Sequence, residues 1–178
     1  MKTVLPFLCM LGLGWFLWGC SAYESYPPIP EIHFKKLVVV DSLTKDMGVS
    51  KFAILTFSFV DGDGDIGISP QDVDSISKIH YTWYQKLPDS TYKPYQFEDT
   101  VIMQTSNIPW KSVMDKTKAQ NKVLKGTIRL QLFTPSPLPE GVDTMRVEYY
   151  IFDRAGNQSN VDFVPDFSMR NPPAELLP

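Results

Sequence analysis

The residues best suited to chemistry are three aspartates, Asp61, Asp63 and Asp65, within residues 61–67, which read Asp-Gly-Asp-Gly-Asp-Ile-Gly. Carboxylates at alternate positions repel one another unless a cation or hydrogen-bond donors lie among them. The intervening glycines allow the backbone to curl so that all three carboxylates face one point. Oxygen-only ligands suit a hard cation, so the spacing predicts a Ca²⁺ site. The alternative is a solvated turn whose aspartates bond nearby backbone N–H groups.

The same spacing resembles the first half of an EF-hand loop, in which Asp72 would stand at the twelfth position. Asp72 is therefore a further candidate ligand, although its side chain is shorter than the glutamate usual there. The resemblance ends at Ile66, where an EF-hand loop has glycine. A strand-like segment also precedes the loop, so the pattern predicts a Ca²⁺-type loop on a β scaffold.

A second polar loop, residues 153–160, reads Asp-Arg-Ala-Gly-Asn-Gln-Ser-Asn. If residues 51–60 and 145–152 are the second and sixth strands of an immunoglobulin-like sandwich, the loops after them emerge at the same end. Asp153 or Asn157 would then complete the coordination begun by the first loop. The alternative is that the segment only makes a tight turn.

The elements that must position these loops are strands, because apolar and polar residues alternate with period two along several segments. This pattern predicts an all-β, immunoglobulin-like antiparallel β-sandwich of seven or eight strands, with a small β-barrel as the alternative. One interruption, at residues 108–121, predicts a short helix. The clear strands are 51–60, 79–87, 127–133 and 145–152, and the weaker ones are 32–40, 92–97, 100–104 and 159–164.

The first residues of the chain are typical of an export signal. Lys2 precedes an apolar run at residues 4–18, which is short for a membrane-spanning helix of about 20 residues. Leu-Trp-Gly-Cys at residues 17–20 resembles the lipobox of bacterial lipoproteins, although tryptophan is bulkier than the usual residue there. The resemblance implies cleavage before Cys20 and anchoring by acyl chains such as palmitate on that cysteine. A permanent N-terminal anchor is the alternative.

These observations divide the chain into four parts. The prediction is a signal peptide at residues 1–19, a lipidated cysteine and proline-rich tether at 20–30, a sandwich at 31–168 and a flexible tail at 169–178. Removing the signal peptide leaves 16 basic and 20 acidic side chains. This acidic balance without clustered Lys and Arg argues against nucleic-acid binding. Cys20 would be the last remaining cysteine, so no intramolecular disulfide would form.

Catalytic motifs are not evident. His33 and His80 lack neighbours at zinc-ligand spacing, and neither a nucleophile elbow nor a phosphate-binding glycine loop occurs. We therefore expect a protein that is not an enzyme. A hydrolase with an acidic centre is the less favoured alternative, since two carboxylates can act from any fold.

The lipobox, the proline-rich tether, the acidic loop and the second polar loop together resemble a group of envelope lipoproteins of Bacteroidota. The resemblance implies a lipid-anchored location in the cell envelope, at the outer membrane and facing the periplasm or the cell surface. It implies no activity. We expect a Ca²⁺-stabilised binding domain for a protein or glycan partner, or a structural subunit of an envelope assembly. Three aromatic residues could stack on sugar rings, although a core or ordinary surface role is the favoured interpretation of each: Tyr84, Tyr92 and Tyr95.

Overall fold

The computed structural model describes residues 25–44, 48–67, 76–97, 100–108, 123–135 and 141–178, and within these ranges the chain forms strands and no helix. The strands are β1 (Glu31–Thr44), β2 (Gly48–Asp61), β3 (Lys78–Lys86), β4 (Tyr92–Pro94), β5 (Gln96–Phe97), β6 (Thr100–Val101), β7 (Met103–Asn107), β8 (Leu124–Leu132), β9 (Thr144–Ile151) and β10 (Asp162–Ser168).

Two antiparallel sheets contain eight of these strands. One sheet has the order β1-β2-β8, and the other has the order β10-β9-β3-β4, with β7 also pairing β3. The short strands β5 and β6 form a separate pair. Neither large sheet closes on itself, which confirms the predicted β-sandwich and removes the barrel alternative. The strand order is that of an immunoglobulin-like sandwich, in which β2 takes the place of the second strand of that fold and β9 takes the place of its sixth strand.

The core lies between the sheets and follows the period-two pattern of the strands. In β2, Ala53, Leu55 and Phe57 are buried, and the Phe57 ring lies 5.1 Å from that of Tyr149 on β9. Burying one such aromatic side chain contributes about 1.5–3 kcal/mol of stability. Trp83 of β3 is also buried, and its Nε1 donates to the carbonyl oxygen of Phe133 (2.9 Å).

The outer edge of β1 is covered by polar partners and not by another long strand. Asp162 Oδ2 accepts the N–H of Phe34 (2.6 Å), and Leu37 exchanges two backbone hydrogen bonds with Leu176 (2.9 and 2.8 Å). Lys36 also pairs with Glu175 near this point. These contacts shield strand-edge groups that would otherwise invite pairing with another chain, and they hold part of the C-terminal segment against the sandwich.

Most predicted strands are confirmed with shifted ends. The prediction for residues 51–60 ends one residue early, because Asp61 is the last residue of β2. The last predicted strand, 159–164, begins too early, since β10 runs from Asp162 to Ser168. Of the predicted helix at 108–121, only Ile108 is among the described residues, so that prediction is not tested. Among those that are described, no helix is long and apolar enough to cross a membrane.

Candidate cation site

The site begins at the end of β2, where the period-two pattern of that strand directs Asp61 inward. Its side chain is fully buried. Its Oδ2 accepts the backbone N–H groups of Asp65 (2.8 Å) and Ile66 (3.2 Å). These two bonds fold the chain back on itself immediately after the strand.

The rest of the acidic loop is fixed by its own sequence. Gly64 lies at φ 70° and Gly67 at φ 105°, a conformation in which residues with a Cβ atom are strained. Ile66 is fully buried in the core, which explains why it replaces the glycine of an EF-hand loop. Ser77 Oγ accepts the N–H of Gly67 (2.8 Å) and closes the described part of the loop.

The second polar loop meets the first, as the sandwich register predicts. Ala155 N donates to Asp65 Oδ2 (2.9 Å), and Arg154 donates to the Asp65 carbonyl oxygen through its N (3.3 Å) and its Nε (2.9 Å). Asp153 is fully buried, and Asn157 donates to both of its carboxylate oxygens, each at 2.8 Å. These bonds turn Asp153 towards the first loop and hold it there.

The result is one cluster of four carboxylates. Asp61, Asp63, Asp65 and Asp153 each offer an oxygen, and these oxygens all lie within 4.8 Å of one another. The Oδ1 atoms of Asp61, Asp63 and Asp65 are buried and have no hydrogen-bond partner. Buried polar atoms are nearly always satisfied in proteins, so three such oxygens in one place form a group that could hold a metal ion.

Electrostatics at the cluster agree with this geometry. Burial, followed by the nearby charge of Asp63, raises the pKa of Asp61 from 3.8 to about 7. Burial is also the main reason that the pKa of Asp65 is raised, with the charges of Asp153 and Asp63 adding to it. Burial and the neighbouring carboxylates therefore make the charged forms of Asp61 and Asp65 costly unless a cation neutralises them.

The arrangement suits a hard divalent cation. Oxygens bound to Ca²⁺ at about 2.3–2.6 Å lie no more than about 5 Å apart, which matches the observed spread of 4.8 Å. All four side-chain donors are carboxylates, and among the residues that the structure describes no histidine or cysteine joins the cluster. This donor set favours Ca²⁺, Mg²⁺ or Mn²⁺ over zinc or copper.

The structure thus brings together four of the six predicted ligands. Asn157 lies beside them, with its amide nitrogen directed at Asp153, which is the role of a residue that positions a ligand. Its own ligation stays a prediction. Asp72 lies outside the described residues.

The three aromatic residues named as candidates for sugar stacking differ in exposure. Tyr95 is only 7% exposed, so it belongs to the core and the less favoured sugar-stacking role is excluded for it. Tyr95 follows the last residue of β4, and the Tyr95 N–H donates to the carbonyl oxygen of Trp83. Tyr92 is half-buried, with its hydroxyl donating to Asp166 Oδ2 (2.6 Å) and its ring covered by Arg146. Tyr84 is half-buried on the outer face of β3.

Sequence reasoning missed two parts of this end of the sandwich. Asn160 binds both backbone groups of Ile32, accepting from N (2.8 Å) and donating to O (2.9 Å). The backbone of Pro27, in the predicted tether, accepts the N–H of Gly62 (3.0 Å). In the sequence, these two contacts are signalled only by the residue types of Asn160 and of Gly62, the glycine between Asp61 and Asp63.

Comparisons with known proteins identify no relative and one distant structural match. No family model matches the sequence, and no curated protein matches it. Among solved structures, OgpA from Akkermansia muciniphila is similar at a TM-score of 0.39 and 10% identity, over 90% of this chain and 33% of that one. The chain therefore spans about a third of the length of that protein.

Proposed function

We propose that this protein is a lipid-anchored, non-catalytic binding protein of the bacterial envelope, whose β-sandwich holds Ca²⁺ among Asp61, Asp63, Asp65 and Asp153. The observation that supports the ion is the set of three buried, unpartnered carboxylate oxygens. A divalent cation would satisfy them and neutralise the repulsion that raises the pKa of Asp61. Ca²⁺ is favoured because it accepts irregular oxygen cages, whereas Mg²⁺ demands near-ideal octahedral geometry and keeps its waters.

The ion is proposed to act as a structural staple. It would join the end of β2 to the loop after β9, and these strands belong to different sheets. A domain without a disulfide gains stability from such a link, because a ligand bound by the native state alone shifts the folding equilibrium. This role requires no catalytic group at the cluster.

Calorimetric titration of the metal-free protein tests the site. We expect one Ca²⁺ per chain and a weaker or absent response to Mg²⁺, together with a melting temperature that rises with Ca²⁺ and falls with EDTA. A melting temperature that is the same in EDTA and in Ca²⁺ would contradict the proposed structural role of the ion. The matched control is Asp41→Asn, which removes a carboxylate from an exposed ion pair with Lys51 and should leave Ca²⁺ binding unchanged.

The outer face of the five-stranded sheet is the proposed surface for a partner. Met103, Thr82, Glu148 and Phe163 lie in one cross-strand row over β7, β3, β9 and β10. Both ends of the row are apolar and exposed, Met103 by 53% and Phe163 by 49%. Three strand spacings separate them by about 14 Å. Met and aromatic side chains are enriched at interfaces with protein partners, and this face exposes one of each.

In-cell cross-linking of the lipidated protein tests this surface. We expect Met103→Ser combined with Phe163→Ser to lose cross-linked partners that the wild type captures. The control is Phe133→Ser, which removes another exposed aromatic (67%) just after β8 on the opposite sheet. Equal loss in the control, or retention in the double variant, would exclude this face. A parallel glycan screen distinguishes a sugar from a protein partner.

A further inference from the structure

The segment that leads from the proposed lipid anchor into the sandwich lies directly on the acidic loop. Gly62 stands between the candidate ligands Asp61 and Asp63, and its N–H donates to the carbonyl oxygen of Pro27 (3.0 Å). A Cβ atom at Gly62 would lie 2.2 Å from that oxygen and 2.4 Å from the carbonyl oxygen of Tyr26. The two backbones therefore touch at a point where only glycine fits.

A second contact holds the same segment from the side. Lys125 of β8 pairs with Val60, the penultimate residue of β2, so its side chain lies next to the acidic loop. Its Nζ lies over the Tyr26 ring, 3.8 Å from the ring centroid, and also bonds the Tyr26 hydroxyl. A cation over an aromatic face is attractive, and here it fixes the Tyr26 ring against the sheet.

The second polar loop holds the chain slightly further on. Asn160 binds both backbone groups of Ile32, at the start of β1. Both loops that supply carboxylates to the cluster therefore also bind the N-terminal part of the domain, one at Pro27 and the other at the start of β1. If the four carboxylates rearranged on losing a cation, the hydrogen bonds of Gly62 to Pro27 and of Asn160 to Ile32 would be disturbed. Gly62 lies between two proposed ligands, and Asn160 lies in the same loop as Asp153.

We propose that cation binding at the acidic loop clamps the tether segment Tyr26–Pro27 against the sandwich, and that release of the cation loosens it. This inference rests on the proposed Ca²⁺ site. Cys20 lies six residues before Tyr26, so a clamped tether reaches at most about 20 Å from the loop to the lipid. A tether released as far as Ile32 has twelve residues and reaches about 40 Å. The ion would thus control how closely the domain is held to the membrane.

Hydrogen exchange of the lipidated protein in nanodiscs, read by mass spectrometry, tests the clamp. With Ca²⁺ in place of EDTA, we expect exchange to slow about tenfold in peptides covering residues 25–32 and at the Gly62 amide. Coupling is reciprocal, so a variant that frees the tether must weaken Ca²⁺ binding by the factor by which Ca²⁺ strengthens docking.

Two variants separate the clamp from the site itself. Gly62→Ala places a methyl group against the Pro27 carbonyl and should release the tether. Lys125→Met keeps the aliphatic part of the side chain, and Lys125 is not one of the proposed ligands. This variant should weaken tether docking and Ca²⁺ affinity together by about threefold. If Gly62→Ala does not fold, the Lys125→Met variant still tests whether tether docking and Ca²⁺ binding are coupled. Lys93→Met, at an exposed position on β4, is the control and should change neither quantity.

The outcomes distinguish the two proposals. If the wild type binds no Ca²⁺, the proposed site fails and the clamp fails with it. If the wild type binds Ca²⁺ but exchange in residues 25–32 is the same with EDTA, the clamp alone is overturned. The clamp is likewise overturned if Lys125→Met loosens the tether and retains wild-type Ca²⁺ affinity.

Discussion

Replacing Asp61 by asparagine should have opposite effects on stability in the two states of the site. It should raise the stability of the metal-free protein and lower that of the protein in Ca²⁺, relative to the wild type. Asparagine has the shape of a protonated aspartate, and its carbonyl oxygen can still accept the N–H groups of Asp65 and Ile66. It lacks the charge that burial and Asp63 disfavour in the metal-free protein. The same substitution removes a ligand charge from the cation site. We therefore expect Asp61→Asn to stabilise the metal-free protein and to abolish most stabilisation by Ca²⁺.

The magnitude follows from the raised pKa of Asp61. A carboxyl with a pKa of about 7 in the folded protein and 3.8 when unfolded contributes stability that is fully present below pH 3.8 and is lost as the pH rises to about 7. The complete loss is at most about 4 kcal/mol, and relaxation and water around the loop reduce it to roughly 2 kcal/mol. For a domain of this size, the asparagine variant should then melt about 4–8 °C higher in EDTA at about pH 8.

Calcium should reverse that order. At a concentration of about a hundred times Kd, the ion stabilises the wild type by about 2.7 kcal/mol and the variant far less. Thermal unfolding of both proteins in EDTA and in Ca²⁺ measures the crossing, with Asp41→Asn as a control that should shift little under either condition. The reasoning is refuted if Asp61→Asn melts below the wild type in EDTA at about pH 8, or if Ca²⁺ raises both melting temperatures equally.

Three further outcomes follow. Because Asp61 must ionise to bind the ion, Ca²⁺ affinity measured by calorimetry should rise by up to about tenfold per pH unit below about pH 7, and a flat profile would contradict this. Cys20→Ser should abolish palmitate labelling and release the protein from membranes, and continued labelling would place the lipid elsewhere. Asn160→Ala removes both side-chain bonds to Ile32 and should lower the free energy of unfolding in urea by about 1–3 kcal/mol, whereas Asn171→Ala, at an exposed position, should have little effect.

Period-two alternation was sufficient to predict the sandwich, because one buried face per strand leaves little freedom in where the strand packs. Assigning segments 51–60 and 145–152 to an immunoglobulin-like sandwich also predicted that the residues after them would meet, and Asp61 and Asp153 do so in one cluster. Strand ends were predicted less well. Asp61 belongs to β2 because it pairs with Leu124 of β8, and nothing in the local composition reports that pairing.

Other features depend on contacts between distant segments. The sequence left the place of Tyr95 open between core and surface, and its backbone bond to Trp83 brings it into the core. The docking of Pro27 on Gly62 joins residues far apart in the chain through a carbonyl oxygen, which every residue has. Side-chain patterns carry no record of such a contact beyond the glycine that permits it.

The most direct test of the cation site is an anomalous difference map from a crystal of this protein grown with Ca²⁺. The proposed site predicts one strong peak at about 2.3–2.6 Å from carboxylate oxygens of Asp61, Asp63, Asp65 and Asp153. A well-ordered loop at saturating Ca²⁺ with no peak among these four carboxylates would contradict it.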